Sequence, residues 1–440
     1  ARMGNRAQTK RLVQMAARCA ERPAGQITEM FRVSAEREGT HRFLEHEETA
    51  ARDLLAASAE AGLRRAIGAK FVYVPTDGSS LGLKDPNGTR GLGSVGTRTK
   101  GGKGLEVMNA LLVLPDGTPI GLGAQEYWVR GEQPKRRKEK RSLEEKETKY
   151  WHRAIDHVID AAKRVPEAPR LWFQLDRGGD FREMLEWMSE QPHWVTVRAS
   201  HDRRMVGPEA QYLWETLESK APGGSFTLDV PAGKNRTAHQ ARIVVRYCET
   251  RIVLKNRWNN KCWPVKLYSV LAREEGTTPE GEEPIEWMLH TNKKIDTAKK
   301  ARQVVRGYSM RWRIEEFHRT WKTVCKIEKT RLHSAESIMK LASLMAAVAV
   351  RIERLKYLAR TQPDAKPSSE FSTVELAALV PLSEPRLRKQ PLLTLADVVH
   401  RVALIGGYTG AKSSGGPPGS VVIARGLLEL DRFVAIVLEI

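Results

Sequence analysis

The sequence has few of the features that mark secreted, zinc-bound or membrane-spanning proteins. Its 440 residues include only four cysteines, with neither Cys-x-x-Cys spacing nor the spacing of a zinc site, so we expect reduced thiols. The amino end shows no signal-peptide pattern. The longest apolar run, Leu341–Val350, is far shorter than the roughly 20 residues needed to span a bilayer. That run predicts a buried core helix.

Acidic residues are scarce relative to basic ones. There are 73 Lys and Arg residues against 53 Asp and Glu residues, which gives a formal net charge of +20 and a pI near 9.8. Such a surplus predicts attraction to a polyanion, and DNA is the obvious partner. A basic membrane-binding protein is the competing interpretation, but without a long apolar run we expect no membrane partner.

Four polar residues recur at helical spacing in the run RGYSMRWRIEEFHRTWK. Tyr308, Arg311, Glu315 and Lys322 lie at offsets 0, 3, 7 and 14, which one straight helix would place on a single stripe. A carboxylate among cations and a phenol suits a site where a divalent metal meets a phosphate backbone. The alternative is an amphipathic surface helix whose Glu–Arg pair contributes only about 0.3–0.5 kcal/mol.

Two aspartates follow strand-like apolar runs. Asp77 comes after FVYVPT and begins a predicted Asp-Gly-Ser-Ser turn, and Asp176 comes after RLWFQL. Taken alone, each is most often a loop or helix-capping residue. Together with Glu315, they indicate an acidic active site.

The spacing Tyr-(2)-Arg-(3)-Glu-(6)-Lys resembles the signature of bacterial DDE transposases of the insertion-sequence-four type, and the resemblance covers almost the whole chain. It implies that Asp77, Asp176 and Glu315 are the catalytic carboxylates and bind Mg²⁺, for which Mn²⁺ substitutes. It also implies a set of DNA-contacting residues, namely Tyr308, Arg311, Lys322, Trp287, Arg11 and Arg42. The alternatives are a solvated helix face for the N-terminal arginines and an ordinary buried strand residue for Trp287.

The order of predicted elements is strand, strand, strand, helix, strand, helix, strand, and then a late helix with the last acid. This order is that of an α/β ribonuclease-H-like fold with a mostly β insertion. The resemblance adds a DNA-end-binding role for the helical amino end and a dimerisation role for the helical carboxyl end. The expected regions are the N-terminal domain 1–65, the core 66–200, the insertion 201–292, the rest of the core 293–360 and the C-terminal region 361–440.

The function implied is that of a cut-and-paste DNA transposase: metal-dependent hydrolysis at transposon ends, a hairpin intermediate, and strand transfer into target DNA. Two alternatives are a ribonuclease-H-like nuclease or integrase that cuts without transposing, and a catalytically silent DNA-binding inhibitor. We expect a homodimer on transposon-end and target DNA, in the bacterial cytoplasm and associated with the nucleoid. The chain starts at Ala1, so we expect the native start to lie upstream.

Overall fold

The computed structural model describes residues 3, 5–23, 25–96, 101–131, 141–206, 211–230, 237–256, 258–276, 278–410 and 415–439. Within these ranges the α-helices are α1 Arg6–Glu21, α2 Ile27–Met30, α3 Ser34–Glu45, α4 Ala51–Arg65, α5 Lys149–Lys163, α6 Arg182–Glu190, α7 Leu213–Glu218, α8 Ala298–Ser309, α9 Trp312–Arg319, α10 Ala335–Thr361, α11 Thr373–Leu382, α12 Pro385–Arg388, α13 Leu395–Ile405 and α14 Ser420–Glu439.

The described strands form one 10-stranded sheet. They are β1 Phe71–Gly82, β2 Gly93–Val95, β3 Gly102–Val113, β4 Pro119–Trp128, β5 Arg170–Leu175, β6 Trp194–Arg198, β7 Gly224–Val230, β8 His239–Lys255, β9 Cys262–Glu274 and β10 Glu286–Thr291. The spatial order is β2-β3-β1-β5-β6-β10-β9-β8-β7, and β4 also pairs with β3, over Glu106–Val113 beyond the short β2 segment.

Five of these strands form the core of the sheet. In the order β4-β3-β1-β5-β6, the first two pairings are antiparallel and the last two are parallel. Helix α5 connects β4 to β5, and α6 connects β5 to β6. This is the connectivity of a ribonuclease-H-like fold, so the predicted fold class is confirmed.

Strand β1 is longer than the sequence suggested. The predicted turn after Asp77 is wrong, because Asp77 to Gly82 continue as strand and pair with β3. Asp77 lies opposite Asn109 on β3, and Asn109 lies opposite Gln125 on β4. On the other side of β1, Thr76 aligns with Leu175 of β5. The residues that follow, Asp77 and Asp176, are therefore neighbours just past the last parallel pair of β1 and β5, although β1 itself continues to Gly82.

The segment predicted as a β-rich insertion contains α7 and strands β7 to β10. These strands extend the central sheet, since β10 pairs antiparallel with β6 and then with β9. Strands β8 and β9 form a long antiparallel hairpin, paired from Ile243 with Glu274 to Lys255 with Cys262. The insertion and the core thus share one continuous sheet.

Helix α10 is the centre of the helical side of the molecule. It contains the apolar run Leu341–Val350, most of which is buried, as predicted for a core helix. Helices α1 and α3 pack on it. The Lys340 ammonium, with the residue only 1% exposed, donates to the carbonyl oxygens of Leu44 at 2.9 Å and His46 at 2.8 Å. The end of α3 is therefore fixed to α10.

The C-terminal helices begin at residues suited to capping. Ser372 accepts from the Glu375 amide at the start of α11, and Thr394 accepts from the Asp397 amide at the start of α13. Helix α14 packs on α11 and α13. No helix in the described ranges is long and apolar enough to cross a membrane.

Candidate active site

Three elements bring the predicted carboxylates to one end of the sheet. Asp77 lies within β1, and Asp176 follows β5, where its Oδ1 accepts from the Gly178 amide at 2.8 Å. Glu315 is in the first turn of α9, and α9 packs on β1 and β3. Residues separated widely in sequence thus converge because β1 and β5 run parallel up to Asp77 and Asp176, and the start of α9 packs on β1 and β3.

The Arg311 guanidinium bridges two of these acids. Its Nη1 lies 2.8 Å from Asp77 Oδ2, and its Nη2 lies 2.5 Å from Glu315 Oε1. The arginine side chain is 12% exposed, so these contacts are largely shielded from water. A planar fork that reaches two carboxylates holds the β1 acid and the helical acid in a fixed relation.

The charge on Asp77 is disfavoured by its surroundings. Burial raises its pKa to about 6, and the nearby Asp176 and Glu315 carboxylates act in the same direction. Arg311 and the Gly78 amide, which donates to Oδ1 at 2.8 Å, oppose this rise. All three acids are therefore close enough to interact electrostatically at Asp77.

In the described part of the chain, no three acidic, histidine or cysteine side chains stand close enough to form a complete set of metal ligands. The chemistry of the donors nevertheless fits a hard divalent cation. Carboxylate oxygens are the preferred ligands of Mg²⁺ and Mn²⁺. Two of the three carboxylates already enclose the positive charge of Arg311. A cation bound to all three would relieve the repulsion that raises the Asp77 pKa.

The predicted single helix from Tyr308 to Lys322 is wrong. Helix α8 ends at Ser309, Arg311 is the N-cap of α9, and a π-helical turn from Thr320 to Val324 contains Lys322. The Gly307 Cα packs against the Tyr73 ring, where an added Cβ would lie 2.7 Å from Cε1.

Tyr308 and Trp287 pack against each other beside the acids. Their rings meet edge to face with centroids 5.1 Å apart, and Trp287 is 9% exposed. Burial raises the pKa of the Tyr308 phenol. The two side chains, both predicted to contact DNA, are thus largely buried in this structure. Their roles stay predictions.

Lys322 is partly buried near the same end of the sheet. Burial lowers the pKa of its ammonium, while the Glu328 and Glu106 carboxylates oppose that shift. The N-terminal arginines lie on α1 and α3. Arg42 is exposed and pairs with Glu38 at 2.7 Å, and the Arg11 guanidinium lies over Gly39. Their predicted DNA contacts stay predictions.

A buried ion pair fixes the loop after Asp176. Asp180 is 3% exposed, and its Oδ1 lies 2.6 Å from Arg203 Nη1. Its Oδ2 accepts from the Ser200 amide at 2.6 Å, so the loop is tied to the chain that leaves β6. Asp180 is the last residue of the run Asp-Arg-Gly-Gly-Asp. The second aspartate in that run was the sequence signal that could have identified this ion pair.

Sequence reasoning missed several residues near the acids. Asn109 and Gln125 are polar residues within otherwise apolar strand segments, and this pattern indicates buried hydrogen-bonding side chains. His318 follows Glu315 by one helical turn. Trp312 was also missed, although it is 56% exposed at the start of α9 with the Arg311 guanidinium 5.7 Å from its ring. An exposed tryptophan beside the acids gives this surface an aromatic face.

Two comparisons with known proteins place this chain among similar proteins. The family described as Transposase DDE domain matches residues 125–351, just over half of the chain, and the match includes Asp176 and Glu315. Among solved structures, the cryo-EM structure of a piggyBac transposase synaptic complex with hairpin DNA is similar at 9% identity, with a TM-score of 0.36. That similarity covers 100% of this chain and 74% of the piggyBac chain.

The fold defines a ribonuclease-H-like protein with an acidic cluster where the parallel pairing of its central strands stops. The chain belongs to the transposase DDE domain family, and it is a DDE transposase. Enzymes of this class depend on a divalent metal ion, which agrees with the carboxylate chemistry of the donor set.

Proposed function

We propose that the protein is a cut-and-paste DNA transposase of the insertion-sequence-four type, with Asp77, Asp176 and Glu315 as its catalytic acids. The observation that carries the proposal is that Asp77 and Glu315 both contact the Arg311 guanidinium, while Asp176 lies close enough to Asp77 to raise its pKa. The Tyr-Arg-Glu-Lys spacing supports the more specific family.

The three carboxylates would bind Mg²⁺, with Mn²⁺ as a substitute. When bound, the metal supplies Lewis-acid activation of the attacking oxygen and stabilisation of the leaving oxygen. The side chains supply a fixed, partly buried set of oxygens, so the phosphate meets little competing water. No covalent protein intermediate is needed. The same acids would therefore serve hydrolysis and strand transfer, since only the nucleophile changes from water to a 3′ hydroxyl.

Arg311 and Lys322 would bind phosphates at the transposon end. Arg311 contacts two carboxylates in this structure, so it would exchange at least one of them for phosphate oxygens as the DNA arrives. Lys322, on the π-helical turn that extends α9, would act as a point charge. Tyr308 would support this clamp from the buried side through its contact with Trp287.

Trp287 would stack on a base flipped out of the duplex during formation of a hairpin intermediate. Its position on β10, packed against Tyr308 near the acids, supports this role, and the ring would have to become more exposed to accept a base. Base stacking on an aromatic side chain contributes about 1–3 kcal/mol.

The partners we propose are transposon-end DNA and target DNA, bound by a homodimer. The formal net charge of +20 supports attraction to phosphate. The N-terminal helices, with Arg11 and Arg42, would contact the ends, and the C-terminal helices would contribute to the dimer. A cytoplasmic location in association with the bacterial nucleoid follows from DNA as the substrate.

The test compares wild type with Glu315→Gln on DNA that carries the native transposon ends, in Mg²⁺ and in Mn²⁺. We expect the variant to lose both nicking and strand transfer while binding end DNA nearly as well as wild type, because affinity comes mainly from cations and phosphates. Glu336→Gln, an exposed acid on α10, is the matched control.

Two results would change the proposal. Cleavage by Glu315→Gln in Mg²⁺ would remove this glutamate from the catalytic set. Wild-type nicking without joining to target DNA, tested with pre-cut ends, would favour a nuclease or integrase that does not complete transposition.

A further inference from the structure

Three polar residues form a row across the central sheet. Asp77 on β1, Asn109 on β3 and Gln125 on β4 are direct neighbours in the two antiparallel pairings. Residues directly opposite in such pairs project from the same face of a sheet. Helix α9 packs on β1 and β3, so the row lies beneath the helix that bears Glu315.

The row is hydrogen-bonded to that helix. Gln125 Nε2 donates to Asn109 Oδ1 at 2.9 Å, and Asn109 Nδ2 donates to His318 Nε2 at 3.0 Å. Asn109 is fully buried and Gln125 is 4% exposed. Because the Gln125 amide occupies the Asn109 carbonyl oxygen, the Asn109 amide is oriented with its donor toward His318.

His318 is suited to accept that hydrogen bond. Burial lowers its pKa to about 3, and the positive charges of Lys322 and Arg311 act in the same direction. The imidazole is therefore neutral near pH 7, with its proton on Nδ1 and a free electron pair on Nε2. The electrostatic surroundings and the orientation of Asn109 favour the same tautomer.

Helix α9 is held elsewhere by the buried side chains of Ile314 and Phe317 and by the Glu316–Lys356 ion pair. It is 8 residues long, it begins after the break at Met310 and Arg311, and it ends in the π-helical turn. His318 follows Glu315 by three residues, so the two side chains lie on neighbouring faces of the helix. A hydrogen bond at His318 therefore limits the direction in which Glu315 points.

We propose that Asn109, oriented by Gln125, positions Glu315 through His318. This inference rests on the proposed role of Glu315 as a metal-binding catalytic acid. Asn109 and His318 are positioning residues, since neither is bonded to the acids themselves. The Asn109–His318 hydrogen bond adds a second directional contact between α9 and the sheet, beside the Arg311–Asp77 ion pair at the start of the helix.

The test uses two conservative replacements of His318. Glutamine can place an acceptor oxygen near the position of Nε2, whereas asparagine is too short to reach Asn109. We expect His318→Asn and Asn109→Ala to weaken Mn²⁺ binding about 10-fold or more, measured by electron paramagnetic resonance on the full-length protein. His318→Gln should stay within about threefold of wild type. End-DNA affinity and urea unfolding are measured for each variant.

His152→Asn is the control, since His152 on α5 is also partly buried but is bonded to no member of the row. Equal Mn²⁺ affinity for His318→Asn and wild type would overturn the inference, as would equal weakening by the glutamine and asparagine variants or by the control. Failure of wild type itself to bind Mn²⁺ would instead contradict the proposed function.

Discussion

Arg311 and Asp77 are 234 residues apart in sequence, and their side chains are joined by an ion pair of 2.8 Å. The same guanidinium contacts Glu315, so one arginine links the strand acid to the helical acid. In the absence of a metal this contact offsets the repulsion among the carboxylates. It therefore competes with any cation for the same oxygens.

Replacing Arg311 with alanine should make the protein more dependent on metal. In EDTA we expect the free energy of unfolding to fall by roughly 1–3 kcal/mol, because a largely buried carboxylate loses its partner. Saturating Mg²⁺ should recover a larger part of that loss in the variant than it adds to wild type. Urea unfolding with and without Mg²⁺ measures both effects.

Two further variants sharpen this measurement. Arg311→Lys keeps the charge but cannot contact two carboxylates with a planar guanidinium. Its loss of unfolding free energy should therefore lie between those of wild type and Arg311→Ala. Arg306→Ala is the control, because Arg306 is exposed on α8 and makes no ion pair within the described ranges. An Arg311→Ala protein that gains no extra stability from Mg²⁺ would show that the arginine and the metal do not compete.

Asp431 should make stability depend on pH. It lies in α14, where burial raises its pKa to about 7; Glu375 and Glu21 add to the rise, and Arg351 opposes it. The folded protein therefore holds this proton more tightly than the unfolded chain. The protonated Asp431 therefore adds its full share to the free energy of unfolding below about pH 4. That share is lost as the pH rises through about 7.

Asp431→Asn removes that titration. Between pH 5.5 and pH 8 we expect wild type to lose roughly 1–3 kcal/mol of unfolding free energy relative to the variant. Asp364→Asn, at an exposed position, is the control and should follow wild type. Parallel curves for wild type and Asp431→Asn would mean that this carboxyl does not titrate in the measured range.

Trp287→Ala should separate the steps of the proposed reaction. Loss of a stacking platform should slow hairpin formation by roughly 5- to 150-fold and affect the first nick much less. A time course on pre-nicked end DNA measures the affected step. Trp287→Phe keeps an aromatic ring against Tyr308 and should retain most of the rate.

Thermal unfolding is needed beside that time course. Trp287 is 9% exposed, and truncating a buried tryptophan costs about 3–5 kcal/mol of stability. If a folded Trp287→Ala protein forms hairpins at the wild-type rate, the ring serves the core of the sheet rather than the DNA.

The sequence alone was enough to predict the fold class and the candidate acids. Alternating and continuous apolar runs marked the core strands, and fixed spacing in one 17-letter run identified Glu315 with its cationic neighbours. Those signals are local, because strand and helix periodicity and side-chain chemistry are properties of short segments. The basic surplus likewise indicated a polyanionic partner without any structure.

Only the tertiary structure decided how those residues meet. Local spacing predicted one helix through Tyr308 and Lys322. In the structure the helix is interrupted between α8 and α9, next to the packing of Gly307 on Tyr73 and the Arg311–Asp77 ion pair. Strand register placed Asn109 opposite Asp77, and no local pattern encodes a pairing between residues so far apart in sequence. Burial, which sets the high pKa of Asp77 and the low pKa of His318, likewise depends on the assembled core.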